Sequence, residues 1–504
     1  MFSDWQEQGL PVQLIGVGKD SHNSSLGNWT NNNDAAVCVD PSPYNTWNDW
    51  NANQRDLFIL DRNGNFISQQ NITSGLPSDL ESTVITLLTE DAQQTYVPDD
   101  NFEQALINLG YDNVLDDYVL TSNINTIPSL IVSSQNISDM TGIEDFVSLI
   151  QLHCDDNQIT SLDVSNLIAL EHLGCGCSCS GGNLLTSLDV SQNINLTWLQ
   201  IEQNNLTSLD VSNNVLLEHL EIGWNPIPNI DLSQNILLKY FDLYNFPLAT
   251  LTSIDVSNNP DLEHLNVGNN QITSIDLTNN NKLKYLSTSD NILTSLDVTN
   301  MPNLEVLLCG HSWSTNYAGQ ITNLDLTNNP LLVRLHCQGN KISGHLDLSN
   351  NPLIWWLTCE KNLITHLDVS NIDALIQMNC SDNDLVELNL ANGNNINFVN
   401  GYPADPSISP ALDVRNNPNL TCINVDNPMY SINNWMSIDG FYIDSQHYYD
   451  NNCSGSTHID GDIRIENKLV KVIDLFGRSS EVNTNEPLFY IFDDGTVQKK
   501  IILK

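Results

Sequence analysis

The sequence predicts a β-rich solenoid, a right-handed superhelix of short stacked repeats, with a partial α/β segment before it and a small β-sandwich after it. Three observations carry this reading. First, nearly the same wording recurs, as in "LTSLDVSNNVLLEHLEIGWN" (Leu206–Asn225), "ITSIDLTNNNKLKYLSTSDN" (Ile272–Asn291) and "ITNLDLTNNPLLVRLHCQGN" (Ile321–Asn340). Second, an apolar residue followed by Asp or Asn recurs at 162, 188, 209, 230, 254, 275, 296, 324, 346, 367, 388 and 412, commonly in steps of 21 residues and otherwise 22 to 28. Third, a second phase lies between these anchors: Leu-x-x-Leu-x-apolar-x-x-Asn, as in Leu196-x-x-Leu199-x-Ile201-x-x-Asn204. A unit this short cannot bury its own apolar face, so it must share a core with its neighbours.

The period and the spacing of leucines form the leucine-rich-repeat signature. In the second phase, positions 4 and 6 alternate inward on a short strand while their neighbours point out. The Asn five residues after position 4 (Asn157, Asn204, Asn225, Asn270, Asn291, Asn340, Asn362, Asn383) is expected to turn inward and satisfy backbone groups at the bend. About a dozen strands at ~4.8 Å spacing give an arc of about 60 Å, a surface rather than a pocket. The whole stretch, residues 149–430, resembles the leucine-rich-repeat solenoids of surface proteins from Bacteroidota-type bacteria.

Composition restricts the partners. The 504 residues carry 17 Lys+Arg against 61 Asp+Glu, a net charge of −44. Phosphate binding needs clustered cations, so nucleic acid is excluded as a partner. Seven of the basic residues fall between Arg464 and Lys504, leaving the rest more acidic still. No apolar run is long enough for a transmembrane helix. Met1-Phe2-Ser3-Asp4-Trp5 has neither the basic nor the apolar region of a signal peptide, which reads as a start from which the leader is missing.

Before the repeats, residues 1–90 predict a strand at Val12–Asp20, a hairpin over Leu57–Gln70 turning on Asp61-Arg62-Asn63-Gly64, and a helix at Pro77–Leu88 capped by Ser78 and Glu81. This order and the "LDRNG" wording resemble the back half of a thioredoxin-like domain. The resemblance implies a redox Cys-x-x-Cys ahead of Met1, and a thiol-disulfide oxidoreductase in a longer protein is the alternative function it raises. Cys38 is the one cysteine of residues 1–90. Residues 91–148 read as a terminal cap: a helix at Asp99–Gly110 with Phe102, Ala105, Leu106 and Leu109 on one face, stopped by Gly110, then a degenerate first repeat over Ile137–Leu149.

The outward column before position 4 reads His172, Trp198, His219, Tyr240, His264, Tyr285, Val306, Arg334, Trp356, Gln377. Stacked in parallel, it forms a ladder of rings on the concave face. Such residues dominate binding hot spots, and flat rings suit sugar faces, so a protein or polysaccharide ligand is expected there. Cross-strand packing alone is the competing account. His172, His219 and His264 lie two repeats apart, about 10 Å, too far to share a metal. No cofactor is called for.

Six cysteines (Cys154, Cys175, Cys309, Cys337, Cys359, Cys380) occupy inward position 6, which Ile201, Ile222, Leu243 and Val267 fill elsewhere. They read as small buried hydrophobes. Cys177 and Cys179 lack the spacing of a zinc site. The Asp after each anchor (Asp163 through Asp413) invites either calcium or a turn bonded to nearby backbone; the second is favoured. No paired carboxylates and no nucleophile–base spacing stand above the repeat, so no catalytic residue is assigned.

Cys422 falls in an outward column, and Cys453 ends a stretch that departs from the repeat, "SINNWMSIDGFYIDSQHYYDNNC", inside residues 431–462, which read as C-terminal cap and linker. The resemblance to capped solenoids implies a Cys422–Cys453 disulfide, worth roughly 3–4 kcal/mol. Residues 463–504 predict short strands at Leu469–Asp474, Leu488–Phe492 and Thr496–Leu503. Asp474, Gly477-Arg478, Asn485, "PLFYIF", "DGTV" and Lys504 make residues 467–504 similar to the C-terminal sorting domain of the type IX secretion system. That implies a translocon as a partner and a secreted or outer-surface location.

Overall fold

The computed structural model describes residues 94–177, 182–245, 247–248, 250–311, 319–398, 411–435 and 440–453, residue 80, and short strands at 15–19, 36–40, 56–60, 66–71, 469–473, 487–492 and 497–501. The chain divides into two units, Met1–Lys341 and Ile342–Lys504.

In the first unit, three-residue parallel strands follow one another without crossover, from Ser129–Ile131 through Trp198–Gln200 and His264–Asn266 to Arg334–His336. Each pairs with the next in one unshifted register: Trp198 with His219, Leu199 with Leu220, Gln200 with Glu221. One rung explains all. Leu206, Leu209, Val211, Leu217, Leu220 and Ile222 are each 9% exposed or less and form one slice of core. Burying such a side chain contributes about 1.5–3 kcal/mol, so the spacing of these positions sets the coil.

A turn at such spacing strands backbone groups, and the inward Asn pairs them. Asn204 Nδ2 donates to Cys175 O and Ile201 O (3.0 and 3.1 Å), and its Oδ1 accepts Leu185 N–H at 3.0 Å. Asn225 repeats this with Ile201 O, Ile222 O and Leu206 N–H. All eight predicted Asn are buried. Asn183 and Asn417 do the same work. A second buried row, Asn193, Asn214, Asn235, Asn259 and Asn280, was not foreseen; Asn214 donates to Val190 O and Asn193 O (3.0 and 2.9 Å). Its signal was the second Asn of "SNN" or "TNN" and the Asn of "SQN".

The Asp after each anchor closes its own turn. Asp210 Oδ1 accepts Ser212 N–H at 2.9 Å, and Asp163, Asp189 and Asp276 repeat the bond to the residue two ahead. Asp413 makes the same bond, to Arg415 N–H at 3.1 Å, but from another column, which corrects the anchor assigned at 412. Leu412–Asp413 pairs with Met378–Asn379, so Leu412 stands at position 4, and the anchor-column strand is Cys422–Asn424, which pairs with Glu387–Asn389. "LDV" fits both phases, and only Asn417, five residues on, tells them apart.

The N-terminal cap also departs in detail. The helix Asp100–Leu109 is capped by Asp99, whose Oδ1 accepts Asn101 N–H and Phe102 N–H (both 3.0 Å), and ends at Gly110 with φ 82°. Leu109 is 46% exposed and stays out of the core, while Glu103 is fully buried because its carboxylate accepts the N–H groups of Asp116 and Asp117. The first rung is Ser129–Ile131, ahead of the Ile137–Leu149 repeat the sequence suggested; Leu130-x-Val132 was its signal.

In the second unit, strands Trp356–Thr358, Gln377–Asn379, Leu412–Asp413 and Phe441–Tyr442 pair in parallel, and a five-stranded parallel sheet runs from Ser343–Leu346 to Tyr448–Asp450. A helix, Pro428–Asn434, carries the chain to Trp435, whose ring meets Phe398, Phe441 and Tyr449 at 5.3 to 5.8 Å. A disulfide joins Cys422 to Cys453 with a Cα–Cα distance of 5.8 Å.

Toward the N-terminus, Ile15–Lys19 pairs in parallel with Ala36–Asp40, and Asp56–Leu60 forms a hairpin with Phe66–Asn71. Of the expected Pro77–Leu88 helix only Leu80 lies among the described residues. Strands Leu469–Ile473, Pro487–Phe492 and Val497–Ile501 form an antiparallel sheet; the turn at "DDG" lies outside the described residues.

Asn225→Ala takes the amide partner from Leu206 N–H and Ile222 O in the core, while Ile201 O keeps Asn204 Nδ2, and is expected to cost about 3 kcal/mol. Exposed Asp210→Ala should move the urea midpoint far less. Equal shifts would show that the inward amide is not what holds the rung.

Candidate functional site: the concave face

The unshifted register brings side chains of one column to the spacing of one strand. In the first unit this turns His172, Trp198, His219, Tyr240, His264 and Tyr285 into one stack. Successive ring centroids lie 6.2, 3.5, 4.1, 4.0 and 4.2 Å apart, with interplanar angles of 14° or less. Each ring is half-buried. Both packing and display are therefore built in: faces are spent on neighbouring rings and edges are turned out. The imidazoles of His219 and His264 are held apart by the Tyr240 ring between them. Val306 interrupts the column, and Arg334 beyond it is half-buried, its Nε 3.1 Å from His336 Nε2. Trp356 belongs to the second unit, in register with Gln377 and beside Trp355.

Burial sets the protonation of this face. His264 is pushed down to about 4, first by desolvation, and His336 to about 3, by desolvation and the neighbouring Arg334 charge. His219 Nε2 lies 2.7 Å from Glu221 Oε1. At the edge of the ladder, Lys239 and Lys284 pair with Glu218 and Glu263, both at 2.7 Å.

A third column, just past position 6, escaped the sequence reading. It alternates glycine with large side chains: Gly176, Glu202, Gly223, Tyr244, Gly268. A Cβ on Gly176 would stand 2.5 Å from Glu202 Oε2, and one on Gly268 3.1 Å from the Tyr244 ring, so the large groups lean across the notches. Beside them opens a cleft of about 220 Å³ lined by Glu202, Glu221, Gly223, Trp224, Asp242, Tyr244 and Asn266. Desolvation, then the charges of Glu221 and Asp155, push the Glu202 carboxyl up to about 7.

The position-6 cysteines are fully or almost fully buried, and burial pushes the Cys309 thiol up to about 12. Such thiols are inert as nucleophiles at neutral pH. Cys177 is buried, and Cys179 lies outside the described residues. Among the described residues no group of three or more His, Cys, Asp or Glu is disposed to hold a metal, and no helix is long and apolar enough to cross a membrane.

In the second unit Glu360 is 4% exposed, its Oε2 has no hydrogen-bond partner, and desolvation pushes its carboxyl up to about 7. Between the unfolded value, 4.5, and about 7 the folded state keeps a proton the unfolded chain has lost, so stability falls as pH rises through that window. Glu360→Gln should raise the melting temperature at pH 8 and leave it unchanged at pH 5. A shift of equal size at both would contradict the assignment.

No family model matches the chain and no curated protein matches it. Solved structures do resemble it. The functional domain of InlJ from Listeria monocytogenes, described as including a cysteine ladder, is 28% identical over 66% of this chain and 76% of that one, with a TM-score of 0.45. An internalin (inlF) of the same organism is 21% identical over 58% and 89%, at 0.43. A leucine-rich-repeat protein of Leptospira interrogans is 19% identical over 61% and 74%, at 0.35. At these TM-scores the functional reading rests on this chain's own residues.

Proposed function

We propose that the chain is an exported, non-catalytic binding protein whose leucine-rich-repeat concave face captures a protein surface at or outside the cell envelope. The observation that carries this is the six-ring stack. A sugar needs an open ring face, and here the faces lie against one another at about the thickness of a ring; what remains is a row of edges and polar tips. That suits the mixed apolar and hydrogen-bonding surface of a protein, where Trp and Tyr anchors dominate. The inert thiols support a role without covalent chemistry. The likeness of residues 467–504 to a type IX sorting domain supports export through that translocon.

The full chain should be screened against arrays of surface proteins and of glycans, beside a Trp198→Ala/Tyr240→Ala variant checked by thermal melt. Protein hits weakened about tenfold or more in the variant are expected. A glycan hit that depends on the ladder would overturn the choice of protein, and a blank from folded protein would overturn the binding role. With a Sec leader supplied in a host that has the type IX system, removing residues 463–504 should hold the protein in the periplasm; unchanged release would sink the export reading.

A further inference from the structure

The proposed function leaves unused the cleft beside the ladder, and the inference drawn from it rests on that function. We infer that this cleft is the specificity subsite of the concave face and takes an arginine side chain carried on a basic segment of the protein partner.

The floor is acidic, and among the described residues its one basic neighbour is His219, whose Nε2 lies 2.7 Å from Glu221 Oε1. Glu202, Glu221 and Asp242 line it, and no lysine or arginine does. Asp242 accepts Tyr244 N–H at 3.0 Å and Asn266 Nδ2 at 2.8 Å. Glu202 Oε1 accepts Gln200 Nε2 at 2.8 Å, but Glu202 Oε2, buried, has no hydrogen-bond partner. The lysines of the neighbouring edge are spent on Glu218 and Glu263. A chain of net charge −44 adds a long-range pull on any cation that approaches.

The walls are aromatic. The rings of Trp224 and Tyr244 stand 5.7 Å apart, tilted by 55°. Trp224 has φ 60°, in a turn position that holds Gln203, Asn269 or Asp290 in other repeats, and it is the one aromatic among the described non-glycine residues of positive φ. A bulky side chain there is costly to the backbone, and yet Trp224 is 37% exposed and lines the cleft. Aromatic walls over a carboxylate floor fit a planar guanidinium, which stacks on rings and presents paired N–H groups to carboxylates. A compact, strongly hydrated ammonium would use the charge but less of the walls.

The test uses the full chain and a labelled peptide of alternating Gly and Arg, with the citrulline peptide as its neutral isostere. The Arg peptide should bind, and citrulline, Glu202→Gln/Asp242→Asn and Trp224→Ala should each weaken it by about tenfold or more. Asp276→Asn/Asp297→Asn removes the same formal charge from exposed turns and should cost about twofold at most. Equal loss from both charge pairs, or full binding by Trp224→Ala, would overturn the cleft in favour of general attraction to an acidic surface. Free arginine binding as tightly as the peptide would overturn the partner-borne source. Protein hits from the array that ignore Glu202→Gln/Asp242→Asn would sink this inference and leave the proposed function standing; a blank array sinks that function itself.

Discussion

A primary amide carries two donors and an acceptor, and this solenoid is organised around that fact. Each turn of coil leaves carbonyls and an N–H group at the inner bend, where water cannot reach them. One inward Asn reaches the carbonyl of its own turn, the carbonyl of the preceding rung and an N–H of that rung. Leucine burial supplies most of the favourable free energy and already opposes a slip of one residue, which would turn the inward leucines out. The amide adds a second penalty, since the same displacement leaves buried polar groups unpaired. Core and amide thus specify one register together.

Fixed register has a chemical consequence. When every strand repeats its neighbour without offset, residue types in one column meet at strand spacing whether or not they suit each other. Rings gain by stacking, and the first-unit ladder is the result. Carboxylates lose, and the column next to it relieves the conflict locally: Glu221 meets His219 and Asp242 meets Asn266. Glycines in the third column make room for the large groups between them. Glu202, left with one unbonded oxygen, is where this relief runs out.

The parts legible in the sequence are those with translational symmetry. Inward leucines, inward Asn and the ladder column repeat at fixed offsets, so twelve copies average out local noise. What escaped was symmetry-breaking. Leu412 carries the wording of both phases, and only a partner strand decides between them. Leu109 lies on the apolar side of its helix yet stays exposed, while Glu103, polar by type, is buried by three chain N–H groups no pattern announces. The cleft depends on Trp224 and Tyr244, single aromatics in their columns, set against a Gly223 whose recurrence with Gly176 and Gly268 is broken by the large residues between them.

The acidity of the chain and the architecture of its concave face act together. Exposed Asp residues on the turns are held below the usual carboxylate range by the N–H and hydroxyl groups they cap, so they stay charged in acid and keep the surface negative. Buried groups move the opposite way: Glu202 and Glu360 resist ionisation up to about 7, and His264 resists protonation down to about 4. The raised carboxyls weaken the fold as pH rises between 4.5 and about 7, and the depressed imidazole weakens it as pH falls from 6.5 toward 4. The two slopes oppose each other across the mildly acidic range. A cation seated on the Glu202 floor would break that balance, because it favours the ionised carboxylate and lowers its pKa. Binding of a basic segment there would therefore be coupled to release of a proton, by the same burial that leaves one Glu202 oxygen without a partner.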